Sequence, residues 1–177
     1  MKRIAITGAT GFIGGALAAR LAADGTEVVR IGRGTTSAVQ WDPATGRLDA
    51  ARLEGVHAVV HLAGASIAER WTPERKRAIR ESRVQGTRLI AETCAKLAAP
   101  PSVLVCASAV GYYGSRGDEW LDETSATGDD FLAGVVRDWE EAAAPARDAG
   151  IRVVHVRTGI VLNPRGGALA KMLLPFQ

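Results

Sequence analysis

Cysteine, tyrosine, histidine and long apolar runs are all scarce in this sequence, and each scarcity excludes something. The two cysteines, Cys94 and Cys106, fall in a predicted helix and a predicted strand. Their spacing builds neither a disulfide framework nor a zinc site, so they read as buried thiols in a reducing compartment, and no metal site is expected. No apolar stretch is long enough to cross a bilayer and no leader precedes the first strand, so no membrane partner is expected and a cytoplasmic location follows. The three histidines, His57, His61 and His155, lie in or near apolar strands without metal-ligand spacing and read as hydrogen-bonded core residues. Neither charge sign dominates: 22 basic and 19 acidic residues leave a net charge of +3. The only basic concentration, Arg75, Lys76, Arg77, Arg80 and Arg83, reads as a solvated helix face, so nucleic acid is not an expected partner. A mildly basic chain suits a phosphate-rich small ligand.

What is present is an ordinary globular composition, with 47% hydrophobic and 23% charged residues over 177 positions, enough for one domain with a sizeable core. Strands and helices alternate. RIAIT (3–7) is a short apolar run that ends at glycine. Residues 12–23 place Phe12, Ile13, Leu17 and Leu21 at helical spacing before Asp24-Gly25. Further strands are predicted at 27–31, 40–42, 56–62, 102–107 and 151–156, and helices at 73–97, with a possible break near Ser82, and 131–149. Pro43 to Gly46 form a turn. Six strands separated by helices predict an α/β fold, a doubly wound parallel sheet with strand order 3-2-1-4-5-6. No internal repeat or linker interrupts it.

The first strand runs into TGATGFIGG (7–15). Gly8 permits the tight turn, Gly11 leaves room for a pyrophosphate, and Gly14 lets the helix pack on the strand. Thr7, Gly8, Gly11, Phe12, Ile13 and Gly14 thus form the cradle of a dinucleotide-binding (Rossmann) domain, with the helix N-terminus turned to the anion. The second strand ends Ile31-Gly32-Arg33. The acid that binds a ribose 2′-hydroxyl in NAD-selective domains is absent, and Arg33 can pair with a 2′-phosphate. Gly32 and Arg33 therefore predict NADP(H) in preference to NAD(H).

With these stretches, HLAGASIAERW (61–71), ESRVQGTRLI (81–90), ASAVGYYG (107–114), DFLAGVVRDWEEAA (130–143) and VRTGIVLNPRGGALAKMLLPF (156–176), the chain resembles the extended short-chain dehydrogenase/reductase superfamily, within it the group called epimerase family proteins. The resemblance implies that Leu62, Ala63 and Gly64 line the adenosine ribose, that Arg83 lies near the cofactor, and that Arg157, with Thr158 and Gly159, lies near the nicotinamide. It implies that Ser108 bonds the substrate oxygen. It also implies that residues 1–177 form the cofactor domain, truncated near the start of a substrate-binding portion. A small-molecule substrate is the implied partner; a homodimer is common in the superfamily, but no residue here demands it and the oligomeric state stays open.

The superfamily's Tyr-x-x-x-Lys proton relay has no counterpart here. Its positions fall on Phe131 and Val135, which cannot transfer a proton. Of the two tyrosines, Tyr113 matches a structural Tyr-Gly, and Tyr112 is the candidate acid. Two functions stay open: an NADP(H)-dependent oxidoreductase or epimerase acting on a small carbonyl or sugar-like substrate, and a non-catalytic NADP(H)-binding sensor or interaction module. Asp118, Glu119, Asp122 and Glu123 form a solvated loop or a substrate-facing lid. Leu169, Met172, Leu173, Leu174 and Phe176 predict an exposed apolar patch.

Overall fold

The computed structural model describes residues 2–34, 37–163 and 167–172, the last segment without the side chains of residues 170 and 171. Strands β1 (Arg3–Thr7), β2 (Glu27–Gly32), β3 (Val39–Asp42), β4 (Arg47–Leu48), β5 (Ala58–His61), β6 (Val103–Ala109) and β7 (Arg152–Thr158) form one sheet in the order β4-β3-β2-β1-β5-β6-β7. The helices are α1 (Phe12–Ala23), α2 (Pro73–Ala95), α3 (Phe131–Glu141), α4 (Ala144–Asp148) and α5 (Gly167–Met172); a short β8 (Leu162–Asn163) stands apart from the sheet.

The six strands read from the sequence are β3-β2-β1-β5-β6-β7, all parallel and in the predicted order. The sequence reading missed β4. It is a two-residue strand that returns antiparallel from the Pro43–Gly46 turn and pairs Trp41 with Leu48, too short to carry a periodicity. Two helix expectations are corrected. The helix from Pro73 runs unbroken through Ser82, whose hydroxyl donates to the Ile79 carbonyl at 3.1 Å and so does not compete with the helix. The helix from Phe131 divides at Ala142–Ala143, because Pro145 has no N–H to return to the preceding turn.

Ala5, Ile6 and Thr7 at the centre of the sheet are fully buried, as a strand covered on both faces requires. The larger core lies between the sheet and α2 and α4, around Val59, Leu104, Cys106, Ile90 and Cys94. The smaller one lies under α1, around Ile6, Ala9 and Ala18. Burial pushes both thiols up to about 12, so neither cysteine is a nucleophile at neutral pH. The apolar patch expected at the C-terminal end is described in part: Met172 is exposed and Leu169 half-buried, whereas Leu173, Leu174 and Phe176 lie outside the described residues. Among the described residues, no helix is long and apolar enough to cross a membrane.

Candidate functional site

In a parallel sheet, each helix that follows a strand begins at the sheet's C-terminal edge, so α1, α2 and α3 all aim their N-termini at one rim. The glycine turn occupies the centre of that rim. Gly8 has φ +68°, and a Cβ there would lie 3.1 Å from the Leu62 carbonyl carbon and 3.2 Å from the Ala63 nitrogen. A Cβ on Gly14 would lie 2.2 Å from the Gly8 carbonyl oxygen. Gly11 is the N-cap of α1. It offers no side-chain cap, and the first turn of α1 holds no acidic residue. The N–H groups of that turn and the positive end of the helix are therefore left for an anion. Phe12 and Ile13 project outward, 42% and 43% exposed.

Thr7 ties this turn to the loop after β5. Its hydroxyl oxygen accepts the Leu62 and Ala63 amides at 3.0 and 3.1 Å, which fills its lone pairs; its own proton therefore goes to His61 Nδ1, 2.8 Å away. That fixes the neutral His61 tautomer with the proton on Nε2, against the edge-on ring of Trp41. Burial lowers the His61 pKa to about 4. Between pH 6.5 and 4 the unfolded chain takes up a proton that folded His61 refuses. Stability should therefore fall with pH across that window by on the order of 3 kcal/mol. Urea denaturation at pH 7 and pH 4.5 checks this: His61→Gln should lower stability at pH 7 and flatten the pH slope. An unchanged slope would show that His61 does not cause it.

Beside the cradle, β2 ends at Gly32, and Arg33 is exposed with no ion pair among the described residues. Arg83 reaches from α2 under the loop after β5. Its Nη1 donates to the carbonyls of Ala65 (3.0 Å) and Ile79 (3.1 Å), the Trp139 ring lies 5.1 Å from its Cζ, and a Cβ on Gly64 would come within 3.3 Å of that carbon. Burial, and then the like charge of Arg75, hold its pKa below the ordinary arginine value. The basic run is thus only partly a solvated face. Arg75 donates to the Ser66 carbonyl and pairs with Glu69, Arg80 pairs with Asp138 of α3, and Arg83 braces a loop.

Further along the rim, Ser108 and Arg157 face the same side of neighbouring strands, and Glu140 of α3 meets both. The Ser108 hydroxyl donates to Glu140 Oε1 at 2.5 Å, and Arg157 donates Nε and Nη2 to the two carboxylate oxygens at 2.9 and 2.8 Å. Arg157 Nη1 reaches the Tyr113 hydroxyl at 3.0 Å, and its Cζ lies 3.5 Å above the Tyr112 ring. Arg157 stands inside β7, because that strand runs two residues beyond the predicted end. Burial alone would raise the Glu140 pKa. The hydrogen bonds from Arg157 and Ser108 outweigh it and hold the carboxyl below the usual range. Ser108 is only 3% exposed, so its hydroxyl reaches a substrate only by leaving Glu140. Tyr112 lines a crevice of about 390 Å³ with His155, Glu141 and Arg147.

Phe131 and Val135 stand where the relay residues were sought. Phe131 meets Trp71 edge to face with centroids 5.8 Å apart, and Lys76 Nζ lies 5.1 Å from its centroid; Val135 is buried. The sequence reading missed Glu140 as the hub of the cluster. It lies 32 residues from Ser108 and 17 from Arg157, and no local spacing links the three. The acidic loop is internally braced: Arg116 pairs with Glu119 and donates to the Ala126 carbonyl, and Asp122 accepts from Thr124 and Ser125.

Residues 4–162 match the model of the NAD dependent epimerase/dehydratase family. The epimerase family protein Mb2239 of Mycobacterium bovis is 42% identical over 173 residues, covering 96% of this chain and 57% of that protein. Two solved structures superpose closely. The nucleoside-diphosphate sugar epimerase from Corynebacterium glutamicum has a TM-score of 0.87 at 44% identity, over 99% of this chain and 37% of its own. Human epimerase family protein SDR39U1 (isoform 2), solved with NADPH, has a TM-score of 0.86 at 37% identity, over 98% of this chain and 59% of its own. The chain therefore spans between about a third and three fifths of the length of these relatives.

Proposed function

This chain belongs to the NAD dependent epimerase/dehydratase family, and on that premise we propose that it binds NADP(H) along the rim and serves an oxidoreductase or epimerase acting on a small carbonyl or sugar-like substrate. One observation carries the reading: the turn from Gly8 to Gly14 has no room for a Cβ at Gly14, while the first turn of α1 is left without acid or cap. That geometry suits a pyrophosphate. Thr7, Leu62 and Ala63 hold the turn to the neighbouring loop, Gly64 and Arg83 flank it, and Arg33 receives the 2′-phosphate. The bound cofactor would supply hydride transfer. This chain's residues bind and orient it. Arg157, held by Glu140, fixes the rim at the opposite end beside Ser108 and Tyr112. The human relative solved with NADPH supports the same cofactor here.

Calorimetric titration with NADPH and NADH tests the cofactor assignment. NADPH should bind more tightly. Arg33→Ala should weaken NADPH at least roughly tenfold, as losing a bidentate phosphate contact does, and leave NADH unchanged. Equal affinity for the two cofactors in the parent chain would sink the assignment.

A second reading is a cofactor-binding module without turnover. It is favoured by Phe131 and Val135, which bring no ionisable group to the relay positions. Consumption of NADPH with a panel of carbonyl compounds separates the two. Turnover lost in Ser108→Ala or Tyr112→Phe supports the enzyme, and tight binding without turnover supports the module.

A further inference from the structure

We propose that Trp71, Phe131 and Lys76, between the N-termini of α2 and α3, form a recognition surface for the substrate, a small molecule carrying one anionic group beside an apolar ring face. The proposal rests on the reading that a small molecule is bound at this rim, and it names the chemical class. α2 follows β5 and α3 follows β6, so both helices start at the edge that carries the glycine turn. Phe131 is the first residue of α3. Its neighbour Leu132 lies against Gly111, one residue before Tyr112. The surface therefore adjoins the Ser108–Tyr112 end of the rim.

Its floor is aromatic. Trp71 is 38% exposed and Ile67 49%, and Phe131 meets Trp71 edge to face. The indole N–H is already used, donating to the Ile67 carbonyl at 3.0 Å, so the ring offers an incoming ligand its apolar face. Positive charge is in excess on this surface, with Arg70, Arg75 and Lys76 against the ionised Glu69 and Glu74. Glu69 is taken by Arg75, and the Glu74 carboxyl is drawn to its own backbone N–H and to Thr72. Lys76 is exposed and rests on the Phe131 ring, and neither it nor Arg70 has a carboxylate partner among the described residues. An ammonium held over an aromatic face without a counter-ion is a receptor for an anion attached to a ring.

Phenyl phosphate is the probe, with inorganic phosphate and phenol as its two halves, titrated calorimetrically with and without saturating NADPH. Phenyl phosphate should bind saturably, and both halves should bind at least about tenfold more weakly. Lys76→Met and Trp71→Ala should each weaken it roughly tenfold, and Lys76→Arg should restore it. Both side chains are exposed enough for the variants to fold, which thermal denaturation verifies, and both variants should keep the parent affinity for NADPH. Absent saturable binding, an affinity unchanged in Lys76→Met, or displacement of the probe by NADPH would each overturn the surface. Failure with NADPH binding intact removes this surface alone. Failure of NADPH to bind removes the reading on which it rests.

Discussion

Gly14→Ala is expected to abolish NADPH binding and to lower stability by about 3 kcal/mol, the upper range for forcing atoms into a packed site. The new methyl would stand 2.2 Å from the Gly8 carbonyl oxygen and 2.8 Å from its carbon. Both are backbone atoms that cannot rotate aside. Gly8 is itself held between Leu62 and Ala63, which Thr7 anchors, so the strain falls on α1. The helix must move off the turn, and its open N–H groups move with it. Gly15→Ala is the control, one residue away on the same helix. A Cβ there would sit 3.7 Å from the Ala9 carbonyl oxygen, an ordinary contact, and its φ is helical. That substitution should raise stability by about 0.5–1 kcal/mol through the better helix propensity of alanine, with the cradle intact. Urea denaturation and NADPH titration of both variants read the contrast. If Gly14→Ala bound NADPH like the parent chain, close helix–turn packing would not be what makes the site.

The order of the sheet was legible because parallel strands leave a strong trace: apolar runs such as RIAIT, closed by glycine and separated by helical spacing. The glycine turn was legible for a related reason, since its spacing is local and the three glycines lie within seven residues of sequence. Elements fixed by one or two contacts were not. β4 exists because Trp41 pairs with Leu48 and Asp42 with Arg47, and the division between α3 and α4 because one proline lacks an N–H. The cluster on Ser108 was invisible as a cluster. Serine and arginine were found one at a time through their resemblance to known motifs, but the carboxylate that joins them sits in a helix far from both in sequence. The contacts of the α2 arginines were hidden in the same way, although Lys76, Arg77 and Arg80 are exposed as a solvated face requires. A run of like charge looks solvated until the fold shows that Arg80 reaches α3 and that Arg75 and Arg83 reach the loop after β5. Whether Phe131 and Val135 leave the rim inert is a question of turnover; Val135 is buried, and on the surface proposed above Phe131 would serve binding rather than proton transfer.

Glu140→Gln should cost about 3 kcal/mol at neutral pH, because it removes one partner of a largely buried ion pair and leaves the other. The side chains of Arg157 and Glu140 are 17% and 13% exposed, so water screens them little. The amide would still accept from one donor. Its NH₂ would meet either the Arg157 fork or the Ser108 hydroxyl, and Arg157, whose pKa is raised chiefly by its hydrogen bond to Glu140, would stay charged with only neutral partners. The sign of the pH dependence follows from the depressed carboxyl. Its stabilisation is fully present above the unfolded value near 4.3 and is lost as pH falls through the lower folded value. The denaturation midpoints of the parent and Glu140→Gln should therefore differ widely at pH 7 and draw together as pH falls below the unfolded carboxyl value, a window beneath the one set by His61. Arg157→Met completes a double-mutant cycle. If the two losses add, the groups act independently; if the double variant loses little more than either single one, the pair acts as a unit. A loss in Glu140→Gln that persisted undiminished into acid would place its origin in the shape of the side chain rather than in its charge, and would free Ser108 and Arg157 to be tested as separate contacts at the rim.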